Sequence, residues 1–215
     1  MDSYGIYKDV RNAGWKCLVD YKIDSLPVKV SSIVRRCGCR LMPYSSSLGF
    51  IASLGAARFT LEKAFCLQPT QGQTFLFYND ALPASEIRLA VAHELGHLLL
   101  GHPFKLENGC RYTSNLETHP LDKPFETEAN IFSRDLLSPA CVLWALHLHS
   151  AQEISMLCDI PLIESSFREQ RMKVLYKREC EFLKAYGHSC FLTHPLEHRV
   201  YEQFKDFVKQ NLKEI

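Results

Sequence analysis

Two histidines four residues apart, His93 and His97, with Glu94 beside the first, sit inside the apolar run LAVAHELGHLLLGH at 89–102. The spacing predicts a helix: four residues advance about 400°, so the two imidazoles stand roughly 40° apart, one turn above the other. Both can then reach one ion, with Glu94 close enough to serve a water bound there. Zinc needs three protein ligands and an open position for such chemistry. It lowers the pKa of its water toward ~7 and polarises a substrate carbonyl. With 9 His and 15 Glu in the chain, H-E-x-x-H arises by chance roughly three times per hundred such sequences. The competing reading is a helix packed by Leu95, Leu98 and Leu99 whose histidines merely hydrogen-bond. Burying two imidazoles and a carboxylate without a partner costs on the order of several kcal/mol, which favours the metal.

The third ligand is the discriminating question. His102 lies five residues past His97 and about 180° around the helix from His93, so it needs the helix to break first. The metzincin pattern places Gly three and His six residues after the second histidine; here those positions hold Leu100 and Pro103. A carboxylate from a second helix fits better, and ETEAN supplies Glu126 and Glu128. Two residues apart, they point about 200° from one another, so only one can face the ion. The face set by Ala129, Phe132 and Leu136 lies between them, and small residues on the Glu126 side (Ala129, Asn130, Ser133) allow close helix approach. Periodicity leaves both open, with Glu126 slightly ahead.

At 215 residues the chain is one ordinary domain, or one with a small appendage. Composition is globular, 47% hydrophobic and 23% charged, and a net charge of +1 argues against a global nucleic-acid or membrane surface. Any partner must be recognised by a local site. The nine cysteines are odd in number and scattered, with only Cys37-Gly-Cys39 closely spaced. The opening MDSYGIYKDV is too polar for a signal peptide, and no apolar run reaches the ~18 residues of a membrane span. These features predict a cytoplasmic protein with free thiols.

The first 40 residues read as helical, with Pro27 opening a second helix that Gly38 ends. GFIASLG, ARFTLEKAFCL and TFLFYND read as strands of a small sheet. PASEIRLAVAHELGHLLLG reads as a helix with Ser85 as N-cap, residues 103–124 as a long loop, and FETEANIFSRDLL as the next helix. SAQEISMLCDIPLIESSFREQRMKVL has the spacing of a helix-turn-helix about Asp159-Ile160-Pro161. Its second helix mixes Arg168, Arg171 and Lys173 with Glu164 and Glu169, which argues against direct nucleic-acid binding. THPLEHRVYEQF reads as a helix start rather than a second metal site at His194 and His198.

IRLAVAHELGHLLLGHP followed by ETEANIFSRDLLSP resembles the ImmA/IrrE family of zinc metallopeptidases. LFYNDALPASEIRLAVAHE is similar to that family's strand-then-helix lead-in, and VRNAGWKCLVDYKIDSLPVKVSSIVRRCG to members found beside phage-type repressors. The resemblance covers most of residues 5–175. It implies Zn²⁺ held by His93, His97 and Glu126, the first glutamate of an E-x-x-x-N stretch that ends at Asn130, with Glu94 as general base. It also implies cleavage of a helix-turn-helix repressor, relieving repression of a mobile element or stress regulon. One departure is Leu136-Leu137-Ser138-Pro139 where members often read L-L-M-P, a change expected to be harmless.

The resulting expectation is an α+β, zincin-like domain over 1–145 with a small antiparallel-type sheet. A helical, helix-turn-helix-like region follows over 146–215. The rival from another class is a non-hydrolytic regulator that keeps the fold and binds a repressor or DNA. Intact Glu94 argues against it. Tyr78, Tyr112 and His119 are the candidates for stabilising an oxyanion, and the residues do not separate them.

Overall fold

The structure is a computed structural model that describes residues 3–69, 72–102, 105–107, 110–113, 123–190 and 192–212. It is mixed α and β. In chain order the elements are α1 (Ser3–Asp20), α2 (Val30–Arg36), β1 (Arg40–Pro43), α3 (Leu48–Ser53), β2 (Ala64–Pro69), β3 (Phe75–Tyr78), α4 (Ala84–Leu99), β4 (Lys105–Glu107), β5 (Cys110–Tyr112), α5 (Lys123–Leu137), α6 (Ala140–Ala145), α7 (Ala151–Cys158), α8 (Leu162–Tyr186) and α9 (Pro195–Asn211). No described helix is long and apolar enough to cross a membrane.

The chain divides into two compact units, one of Met1–Val10 with Lys29–Ser133, the other of Arg11–Val28 with Arg134–Ile215. The units interleave along the sequence, whereas the expected division fell between 145 and 146. Residues 11–28 join the second unit because α9 holds them: the Gln203 side-chain amide donates to the carbonyls of Leu18, at 2.9 Å, and Ile23.

In the first unit the sheet runs β1-β3-β2-β5-β4. It is mixed rather than antiparallel throughout: β1 pairs with β3 in parallel, while β2–β3, β2–β5 and β4–β5 are antiparallel. Strand β2 is buried along Ala64–Leu67, as a strand covered on both faces must be. Phe65, Leu67 and Phe77 of the sheet pack with Tyr44, Ile51 and Phe59 into one core cluster. GFIASLG forms helix α3 rather than a strand. Its apolar residues Phe50, Ile51 and Leu54 fit one helical face, and Gly55 ends the segment at φ +71°. The expected 103–124 loop contains β4 and β5, whose register continues the sheet outward from β2. Residues 114–122 lie outside the described residues. Helix α2 starts at Val30, after Pro27, and ends where Gly38 takes φ +80°.

The second unit is helical. Ser150 and Glu153 close a reciprocal capping box at the start of α7. Asp159 turns the chain at φ +47°, and α8 follows Pro161. Helix α9 starts at Pro195 with the His194 ring as its cap, accepting from the Leu196 amide, and buries Val200, Phe204 and Val208 at four-residue spacing.

Candidate metal centre

Helix α4 begins one residue after Pro83, not at Ser85, and carries Glu86 in its first turn, where the helix dipole favours a carboxylate. Val91, Ala92 and Leu95 bury its core face. The helix stops in two hydrogen bonds, His102 N–H to His97 O at 3.0 Å and Gly101 N–H to Leu98 O at 3.3 Å. This is a Schellman ending with Gly101 left-handed at φ +70°. It turns the chain so that the His102 ring folds back on the helix it has just left.

The partner element is α5. An ideal Cβ placed on Gly96 would stand 3.3 Å from the Ala129 Cα and 3.0 Å from Phe132 Cδ1. The helices therefore meet backbone to backbone at a glycine. This contact lies one turn from Glu126, which brings that carboxylate to the histidines.

His93 Nε2 stands 3.1 Å from His97 Nε2 and 3.2 Å from Glu126 Oε2, and His97 Nε2 is 3.5 Å from Glu126 Oε1. Donors held tetrahedrally at about 2.0–2.1 Å from zinc lie roughly 3.3 Å apart, so the spacing and the N,N,O donor set fit that ion. Among the described residues this is the one group of His, Cys, Asp and Glu able to hold a metal. His93 Nδ1 donates to Asn130 Oδ1 at 3.0 Å, which leaves Nε2 bare toward the centre. Burial disfavours the charged His93 ring, but Glu126, Glu94 and Asn130 together outweigh it and hold its pKa above the usual histidine value. Burial likewise opposes ionisation of Glu126, yet His93 and His97 hold its carboxyl well below the carboxylate range.

Glu94 is buried beside the three donors, and Thr113 holds it. The Thr113 hydroxyl accepts the Cys66 amide at 2.9 Å, so its own proton is free to go to Glu94 Oε2 in a short hydrogen bond. The Cys66 thiol is a second side chain hydrogen-bonded to the Glu94 carboxylate. A cavity of about 370 Å³ opens along His93, Glu94 and Asn130, with Leu61, Ala64, Leu89 and Ala90 as its apolar wall and Lys63 paired to Glu86 at 2.6 Å.

The structure thus brings together His93, Glu94, His97 and Glu126. Glu128 faces elsewhere, onto His102. Tyr78 ends β3, paired with Pro43 and Ala64; Tyr112 pairs with Leu67, and His119 lies outside the described residues. Sequence reasoning missed Thr113, a lone threonine in a stretch without periodicity. Only its position at the end of a strand beside β2 reveals it.

In the second unit Ser138 anchors a buried polar cluster. Buried completely, its hydroxyl accepts from Arg168 Nε at 3.0 Å and donates to Arg134 O at 2.7 Å, while Arg168 pairs with Asp135 at 2.8 Å. Arg168 is therefore internal, Arg134 binds Glu164 at 2.9 Å, and Lys173 binds Glu169 at 2.8 Å. Cys39, Cys66, Cys141, Cys180 and Cys190 are reduced thiols. Burial and the Glu94 carboxylate push the Cys66 thiol far above its usual range.

No family model matches the chain, and no curated protein matches it.

Proposed function

We propose that the chain is a zinc-dependent endopeptidase whose substrate is a helix-turn-helix repressor, acting in the cytoplasm to relieve repression of a mobile element or stress regulon. The observation that carries the reading is the convergence of three donor side chains, with ligand atoms 3.1–3.5 Å apart, and a buried carboxylate beside them. His93, His97 and Glu126 would hold the ion in a zincin-like arrangement. Bound there, zinc supplies a Lewis acid that lowers the pKa of water toward ~7 and polarises the scissile carbonyl.

The chain's own residues do the rest. Glu94, oriented by Thr113 at Oε2, takes the proton of the attacking water and delivers it to the leaving amide nitrogen. The cavity of about 370 Å³ is at the small end for ligand sites, which run from about 300 to 1,000 Å³. An extended stretch of peptide would suit a cavity of this size, which favours a loop or linker of the repressor as the cleaved segment. The ImmA/IrrE resemblance of the two motifs supports the substrate class. Arg168, buried on Asp135, is withdrawn from any phosphate contact, which weighs against the rival in which the chain binds DNA.

The test uses the purified protein, zinc and the helix-turn-helix repressor encoded nearest to it. The parent cuts the repressor and carries about one zinc per chain. Glu94→Gln keeps the zinc and loses ~10²-fold or more in cleavage, as expected for a missing general base. Glu126→Gln loses zinc and cleavage together. A Glu94→Gln protein as active as the parent refutes the mechanism.

A further inference from the structure

His102 and Glu128 both lie outside the donor set, yet they form a chain that ends on it. Glu128 Oε2 is 3.0 Å from His102 Nε2, and His102 Nδ1 is 3.0 Å from His97 Nδ1. His102 is buried, and its ring lies 5.0 Å from that of Phe125, so it has no freedom to swing out.

The direction of these bonds follows from chemistry. A carboxylate only accepts, so His102 Nε2 must carry a proton. In a neutral imidazole Nδ1 is then a bare acceptor, and the nitrogen facing it, His97 Nδ1, must be the donor. That leaves His97 Nε2 with its lone pair directed at His93 Nε2 and Glu126. We infer that Glu128 and His102 are positioning residues that lock His97 in the Nδ1–H tautomer and so present Nε2 to the metal. Asn130 performs the same service for His93 through a single amide oxygen. His97 is served by two groups in series, because its Nδ1 is met by the turn after α4 rather than by α5.

This inference deepens the metal-centre reading and rests on it, but hydrogen-bond direction can be measured without metal. Long-range ¹H–¹⁵N spectra of the metal-free protein report which ring nitrogen of each histidine is protonated. His97 should be protonated at Nδ1 and His102 at Nε2. Zinc affinity is then measured by competition with a chelating dye. Glu128→Leu and His102→Phe should each weaken it ~10–100-fold, the usual cost of removing outer-shell support from a ligand. Glu128→Gln should stay near the parent, because the Gln carbonyl oxygen still accepts from His102; a purely packing role would not distinguish Gln from Leu in this way. His97 found as the Nε2–H tautomer overturns the inference, as does Glu128→Leu binding zinc like the parent. A parent protein that binds no zinc overturns the metal centre instead, while the tautomer spectrum still decides the hydrogen-bond chain. If His102→Phe fails to fold, the Glu128 pair and the parent spectrum carry the test.

Discussion

Gly96→Ala tests whether helix approach is what assembles the donor set. The new methyl would sit 3.0 Å from Phe132 Cδ1 and 3.3 Å from the Ala129 Cα. Carbon atoms prefer about 3.5–4.0 Å, so the neighbours must yield by a few tenths of an ångström. The Phe132 ring can turn; the Ala129 Cα belongs to the α5 backbone and moves only with its helix. Glu126 would be carried outward by a similar amount, stretching separations of 3.2 and 3.5 Å that already match the ~3.3 Å of a tetrahedral site. Zinc affinity should fall ~10-fold, the lower end of what disturbed ligand support costs. On stability, alanine gains ~1 kcal/mol over glycine within a helix, while overpacking costs about 1–3 kcal/mol. The net should lie between zero and about 2 kcal/mol of destabilisation. Dye competition reads the first quantity and urea unfolding of the metal-free protein the second. A variant stabilised by the full helix gain and binding zinc like the parent would show that the helices do not meet as described.

Thr113→Val leaves Glu94 Oε2 and the Cys66 amide without their partner; zinc content should hold while turnover falls ~10-fold and stability drops by ~1–3 kcal/mol. Unchanged kcat would remove Thr113 from the reaction. Ser138→Met strips Arg168 Nε of its acceptor inside the second unit and should cost ~1–3 kcal/mol by urea unfolding. A neutral or stabilising result would mean that Arg168 finds another partner. In the metal-free protein His93 is raised above 6.5 and Glu126 lowered below 4.5, so both groups favour folding between these values. The His93 contribution is complete below about pH 6.5 and fades as pH rises through its raised folded pKa; the Glu126 contribution is complete above about 4.5 and fades on acidification. The stability gap between parent and Glu126→Gln should therefore be widest near pH 5–6 and narrower at pH 8. A gap that widens from pH 6.5 to 8 contradicts the pairing.

The helices bearing the candidate site were readable because H-E-x-x-H, ETEAN and their apolar partners share one period of 3.6 residues. Sheet details were less so. Strand β1 is only four residues, half-exposed and closed by Pro43, and its parallel partner lies 35 positions downstream, so nothing local marks it. GFIASLG carries too few apolar residues to separate a helix from a strand by period alone. Glu126 and Glu128 were indistinguishable by angle because the core face of α5 bisects them; the close contact at Gly96 breaks that symmetry. His102 was set aside as a ligand on helical geometry, but α4 ends three residues before it, at Leu99, so its place against His97 was not legible.

The two glutamates of α5 act together as a gauge of that helix's rotation. Glu126 reaches the Nε2 side of His97 while Glu128, about 200° around the axis, reaches the ring that abuts its Nδ1 side. Carboxylates at the rim of a helix roughly 5–6 Å in radius travel about 1 Å for each 10° of roll. Rolling one glutamate toward its histidine swings the other away from its own. The helix is therefore gripped at one angular setting by two opposed levers, and torque on α5 from anything bound elsewhere along it would register at both nitrogens of His97 at once.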